Sequence, residues 1–114
     1  MRVYGIKTCG SVKKALAFFK EHAIPYTFVD LKQEPVSRET IEGWAAKVSL
    51  EKLFNNKGTK YRTLGLAKET LNDDDKLAWL AKENLLIKRP VIEMDNGDVL
   101  VAFDEPTYKT TFGV

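Results

Sequence analysis

The chain has 114 residues, 44% hydrophobic and 30% charged, with a net charge of +2 at pH 7; this suits one domain with one core and an ordinary globular composition. The charge is too small and the lysines too dispersed for a nucleic-acid surface, no apolar run approaches the roughly 20 residues of a membrane span, and the N-terminus lacks a signal-peptide pattern. A single cysteine excludes an internal disulfide and, with a single histidine, makes no soft metal site, so a cytoplasmic protein with no metal is expected.

Arg2 to Ile6 is a short apolar run that reads as a first strand. From Ser11 the apolar residues Val12, Ala15, Leu16 and Phe19 recur at helical spacing, with lysines on the other side. The only cysteine, Cys9, therefore falls where a strand ends and a helix begins. The first amides of a helix have no partners within it and carry partial positive charge. A thiolate at such a point is stabilised against its thiol, and helix starts with neighbouring cations lower a cysteine pKa from about 8.5 into the range of roughly 3.5–7.5. Lys7, Lys13 and Lys14 add positive field, and Ser11 can cap the helix or donate its hydroxyl to the sulfur. A lone intracellular cysteine is more commonly an inert small apolar residue. Here its neighbours Thr8, Gly10 and Ser11 and the lysines on both sides favour a reactive nucleophile.

His22 to Pro25 ends the helix, since proline disfavours helical geometry in the residue before it. His22 reads as a solvent-facing residue at the helix C-terminus rather than as a catalytic group. Tyr26 to Leu31, rich in aromatic and branched residues, is a second strand, and the strand–helix–strand order makes a βαβ unit with a parallel pair. Ser37 suits the cap of a helix whose apolar face is Ile41, Trp44, Ala45 and Val48, and Leu50 to Phe54 adds a helical turn. Asn55 to Thr59 is a loop by composition. Asp73-Asp74-Asp75 complements the start of a helix holding Leu77, Leu80 and Ala81, in preference to a metal site. Val91 to Met94 and Val99 to Phe103 form a hairpin across Asp95-Asn96-Gly97-Asp98. Asp104 caps a final helix with Pro106 in its opening turn.

The order predicts an α/β protein with a four-stranded mixed sheet. Open α/β sheets bind ligands beyond the carboxyl ends of their strands, which is where Cys9 lies.

Tyr4-Gly5-Ile6-Lys7-Thr8-Cys9-Gly10, Asn55-Asn56-Lys57-Gly58-Thr59 with Tyr61-Arg62, Ile87-Lys88-Arg89-Pro90 and Phe103-Asp104-Glu105 together resemble the arsenate reductase C family of the thioredoxin superfamily over essentially the full length. The resemblance is to the branch containing Spx-type regulators and YffB-like thiol reductases. It implies a thioredoxin-like fold over 1–114, a helical insertion at about 35–86, and Pro90 as a cis-proline facing the active cysteine. Arsenate-reducing members hold the oxyanion with several arginines. Arg89 matches one, but Asn55 stands where another is expected, and Val101-Ala102-Phe103 where a third would fall. Spx-type regulators commonly carry Cys-x-x-Cys; the second position here is Val12.

These departures favour the YffB-like branch, and the resemblance to it implies a glutathione-dependent thiol reductase working by single-cysteine chemistry. Cys9 would be the nucleophile, with no bound cofactor and with glutathione as the reducing co-substrate. Lys7, Gly10, Ser11, Asn55, Arg89 and Pro90 would bind substrate or glutathione, with Lys57 and Arg62 as lesser rim contacts. The expected partners are glutathione and a small-molecule or protein disulfide, met by a monomer. The alternatives are a glutathione-linked arsenate reductase and a non-enzymatic regulator that binds a protein such as RNA polymerase.

Overall fold

Strand β1 (Arg2–Gly5) lies at the centre of a four-stranded sheet with the order β2-β1-β3-β4, where β2 is Thr27–Asp30, β3 Val91–Glu93 and β4 Val99–Val101. β1 runs parallel to β2, with Val3 opposite Phe28, and antiparallel to β3, with Val3 opposite Ile92. β4 closes the sheet antiparallel to β3. The computed structural model describes residues 1–114. The chain folds as two compact units, Met1–Asp30 with Arg89–Val114, and Leu31–Lys88.

In the sheet unit, side chains alternate between the two faces of each strand. Val3 and Ile92 meet on one face and are fully buried with Ala15, Phe18 and Phe19 of helix α1 (Gly10–Glu21) and Tyr108 of helix α6 (Glu105–Phe112). Phe18, Phe19, Phe103, Tyr108 and Phe112 pack ring to ring, mostly edge to face. Each large apolar side chain buried this way contributes about 1.5–3 kcal/mol. Tyr108 also donates its hydroxyl to the carbonyl of Ala102 at 2.7 Å, so its polar tip is satisfied.

Helix α1 stops by a Schellman arrangement. The Ile24 amide donates to Phe19 O at 2.8 Å and Ala23 N–H to Lys20 O at 3.3 Å, while Ala23 adopts φ 54°. His22 is the residue before that bend, with its ring tilted against Phe18 at 4.4 Å between centroids. The hairpin between β3 and β4 closes through Gly97 N–H to Met94 O and Met94 N–H to Asp98 O. Only Gly97 of its turn has a positive φ, 92°, so the Asn96-Gly97 pair forms a turn with glycine in the bulge position rather than a two-residue turn with both residues left-handed. Asp104 caps α6 through the Thr107 amide.

The helical unit contains α2 (Arg38–Val48), α3 (Leu50–Leu53), α4 (Thr59–Thr63) and α5 (Asp73–Lys82), with 3₁₀ turns at Leu66–Lys68 and Asn84–Leu86. Ser37 accepts from the Thr40 amide at the start of α2. Ile41 and Trp44 of α2 are buried, as are Leu53, Leu66, Leu80, Leu86 and Ile87. At α5 the cap is Asn72, one residue before the acidic run, and it forms a reciprocal capping box with Asp75. The one buried polar side chain, Asn84, ties two segments of this unit together. It accepts from Val36 N–H at 2.6 Å and donates to Leu80 O at 2.9 Å and Val36 O at 3.3 Å.

Two substitutions test these supports. Gly5 lies so close to α1 that a Cβ there would fall 2.5 Å from Cγ2 of fully buried Val12. Gly5→Ala is expected to lower stability by about 1–3 kcal/mol, as overpacking does. In chemical denaturation, Gly5→Ala with Val12→Ala should lose less than the sum of the two single changes, because the second removes the clash. Asn84→Ala is expected to cost about 1–3 kcal/mol, since it leaves the Val36 amide and the carbonyls without their partner. Faster hydrogen exchange at the Val36 amide would report the loss locally.

Candidate active site

The site begins with a tight turn. Leaving β1, the chain folds back so that Cys9 N–H donates to Ile6 O at 3.2 Å, with Lys7 and Thr8 exposed at the tip. Cys9 is the N-cap of α1, with φ −76° and ψ 126°, and its carbonyl accepts the first helical bond from Lys13 N–H at 3.0 Å. Its thiol is free and half-buried. The close packing of Gly5 on Val12 sets the first turn of α1 directly over the end of β1. Sulfur takes the place of the oxygen that usually caps a helix. It makes no conventional capping bond, yet it faces the amides that a cap would serve.

Burial by itself pushes the Cys9 thiol up, because the anion loses hydration. The Val12 amide, the Arg89 guanidinium and the Ser11 amide outweigh that cost and bring the thiol below its ordinary value. Arg89 acts twice, as a hydrogen-bond donor to the sulfur and as a charge. The cation that acts on the sulfur is thus Arg89, and Ser11 acts through its backbone rather than its hydroxyl. Lys7, Lys13 and Lys14, expected to supply the field, are all exposed. Sequence reasoning placed Arg89 at a ligand and overlooked its reach to the sulfur. The signal lies in the strand pairing: Tyr4 is opposite Val91, so running that antiparallel register outward brings Arg89 beside the end of β1.

Pro90 follows Arg89 through a cis peptide bond and is buried, and its carbonyl accepts from Ala102 N–H at 2.8 Å. Gly10 is exposed at the first position of α1, and an added Cβ there would meet nothing within 4 Å. The fold therefore gathers Cys9, Gly10, Ser11 and Arg89 in the sheet unit. Asn55 belongs to the helical unit. Its side chain accepts from Lys57 N–H at 3.3 Å and lies under Gly58, where a Cβ would fall 2.6 Å from Asn55 Nδ2. Asn55 thus shapes the turn that leads into α4. Lys57 and Arg62 are exposed on the same unit. No group of three or more His, Cys, Asp or Glu side chains is arranged to hold a metal ion, and no helix is long and apolar enough to cross a membrane.

A family model described as ArsC family matches residues 4–111. This chain belongs to the ArsC family. Its fold is the thioredoxin-like fold of that family, a mixed sheet with helices. The chain is similar to the solved YFFB protein, with 34% identity, a TM-score of 0.88 and 96% of each chain covered. It is 33% identical to an uncharacterised protein of Haemophilus influenzae over 111 residues, 96% of each. It is also 28% identical to an arsenate reductase of Rhizobium meliloti over 92 residues, 79% of this chain and 66% of that protein.

The charge balance at Cys9 has a measurable signature. Alkylation of native protein by iodoacetamide across a pH series is expected to show a midpoint below that of a free thiol. Arg89→Gln should move the midpoint up, by removing both a donor and a charge from the anion. Stability follows the same sign. An acid whose pKa is depressed on folding adds stability that is fully present above its unfolded value, about 8.5. That stability is lost as the pH falls through the lower folded value. The difference in unfolding free energy between the native protein and Cys9→Ser should therefore grow as the pH rises between those two points.

Proposed function

We propose that this protein is a glutathione-dependent thiol–disulfide reductase with Cys9 as its only redox-active sulfur. The observation that carries this reading is the depressed Cys9 thiol, set at the start of α1 with the Arg89 guanidinium on it. The thiolate attacks the glutathione sulfur of a mixed disulfide R–S–SG. A new S–S bond forms on Cys9, the old one breaks, and R–S⁻ leaves and takes a proton. No second cysteine is present in the chain to resolve the adduct. A glutathione thiolate does so, releasing oxidised glutathione and restoring the Cys9 thiolate. The net change is R–S–SG + GSH → R–SH + GSSG, in which the R sulfur is reduced, the incoming glutathione sulfur is oxidised, and the glutathione sulfur of the mixed disulfide keeps its oxidation level.

Within this mechanism Arg89 stabilises the attacking anion and holds a carboxylate or substrate oxygen. Exposed Gly10 leaves room for a ligand at the opening amides of α1. Lys7 and Ser11 border the sulfur in sequence and are the candidates for further ligand contacts. The protein would work in the cytoplasm as a monomer.

A second reading is arsenate reduction, favoured by the likeness to the Rhizobium meliloti arsenate reductase and by the presence of Arg89 at the sulfur. Against it stand Asn55 and Val101-Ala102-Phe103 at the positions where further arginines were expected. A bidentate guanidinium is the strong partner of an oxyanion, and amide or apolar groups do not replace it.

One experiment separates these readings. The protein is incubated with oxidised glutathione, and the adduct is sought by mass spectrometry on Cys9. Turnover of a mixed disulfide and of arsenate is then assayed with glutathione as reductant. The expected result is an adduct on the native protein, none on Cys9→Ser, and turnover of the disulfide. Arsenate turnover exceeding disulfide turnover would establish the second reading. An adduct with no turnover of either would point to a regulator, whose binding to a protein partner should survive Cys9→Ser.

A further inference from the structure

We propose that Lys7, Lys13 and Lys14 form a cationic rim that makes the Cys9 thiol selective for disulfides carrying carboxylates near the S–S bond. The inference rests on the thiol reading above and names the substrate class of that same site.

Lys7 lies at the tip of the turn that Cys9 closes, and Lys13 and Lys14 follow the first turn of α1. All three are exposed, and none takes part in an ion pair; Arg2, Lys109 and the N-terminal ammonium of the same unit each have a carboxylate, and Lys20, also unpaired, lies in the last turn of α1, where the dipole favours a cation. Helix stability does not explain them. A cation near the positive end of a helix opposes the dipole, and α2, α3, α5 and α6 each carry an acid in the first turn, where α1 and the five-residue α4 have none. The longest helix of the chain thus begins with the wrong sign of charge for its own stability, at the one point where a nucleophilic sulfur sits. Arg89 acts on the sulfur itself, and the three lysines lie within five residues of Cys9 along the chain.

Such a field acts on the approach of a charged partner. Its reach in solution is about 8 Å at physiological ionic strength, and focused fields of this kind change association rates by about 10–10³-fold. A dianionic disulfide gains on approach and a dicationic one loses. The chemical step is the same for all. The Cys9 thiolate attacks one sulfur, the S–S bond opens, and the leaving thiolate is protonated, so that Cys9 is oxidised and the leaving half reduced.

The test uses three small symmetric disulfides: dithiodipropionate, hydroxyethyl disulfide and cystamine. They are dianionic, neutral and dicationic at neutral pH. Second-order rates of adduct formation on Cys9 are measured by mass spectrometry. Each is divided by the rate of the same disulfide with 2-mercaptoethanol, which removes intrinsic reactivity. The expected order is anionic over neutral over cationic, with the outer pair separated by about tenfold or more at low salt. That separation should collapse near 1 M salt, where the screening length is about 3 Å. Lys13→Glu with Lys14→Glu, a change that suits the helix dipole, should shrink or invert it, and Lys13→Gln with Lys14→Gln should give an intermediate value. Equal normalised rates in the native protein, or a separation unchanged by charge reversal, would overturn the rim while leaving the thiol reading intact. No adduct with any of the three would overturn both.

Discussion

The sulfur of Cys9 sits between two sources of positive charge of different origin. One is local: the Ser11 and Val12 amides at the opening of α1. The other is distant in sequence: the Arg89 guanidinium, brought in at the threshold of β3. Burial works against the anion and these groups work for it, and the balance falls on the side of the anion. Either source alone would have to meet the desolvation cost unaided. The architecture of the sheet unit can be read as the means of bringing both to one atom.

That architecture depends on close approach. Gly5 lets α1 pack against the end of β1 with Val12 almost in contact with the strand backbone. The same Val12 presents an amide to the sulfur, so the packing of its side chain and the aim of its N–H are one arrangement. Beneath it, Ala15, Phe18 and Phe19 lock the helix to Val3, Ile92 and Tyr108. A nucleophile on a half-buried turn gains its precision from a rigid core a few residues away.

The helical unit is built by different means. Its elements are short, and side-chain hydrogen bonds do much of the joining. Ser37, Ser49 and Asn72 each accept from the backbone at a helix start. Asn84 closes Val36 against the end of α5, and Asn55 closes its own turn under Gly58. Ser49 holds φ 109° between α2 and α3, a region L side chains rarely adopt. It does so where one helix ends and its hydroxyl starts the next.

Local chemistry was legible in the order of residues. The apolar spacing from Val12 to Phe19, the Ser37 and Asp104 caps, the Asn96-Gly97 turn and the placing of Cys9 between strand and helix all depend on neighbours within a few positions, and the structure agrees with them. Where several side chains could do one local job, the order of residues did not choose. Asn72 rather than the acidic run caps α5, and backbone rather than hydroxyl groups at Ser11 serve the sulfur. Partners far apart along the chain were decided only by folding. Arg89, and not the lysines beside Cys9 in sequence, became the charge on the sulfur, because antiparallel pairing of β1 with β3 joins segments that no spacing rule connects. Exposed lysines on flexible stems make no fixed bond to the sulfur, whereas a guanidinium delivered by a strand end is held within bonding reach.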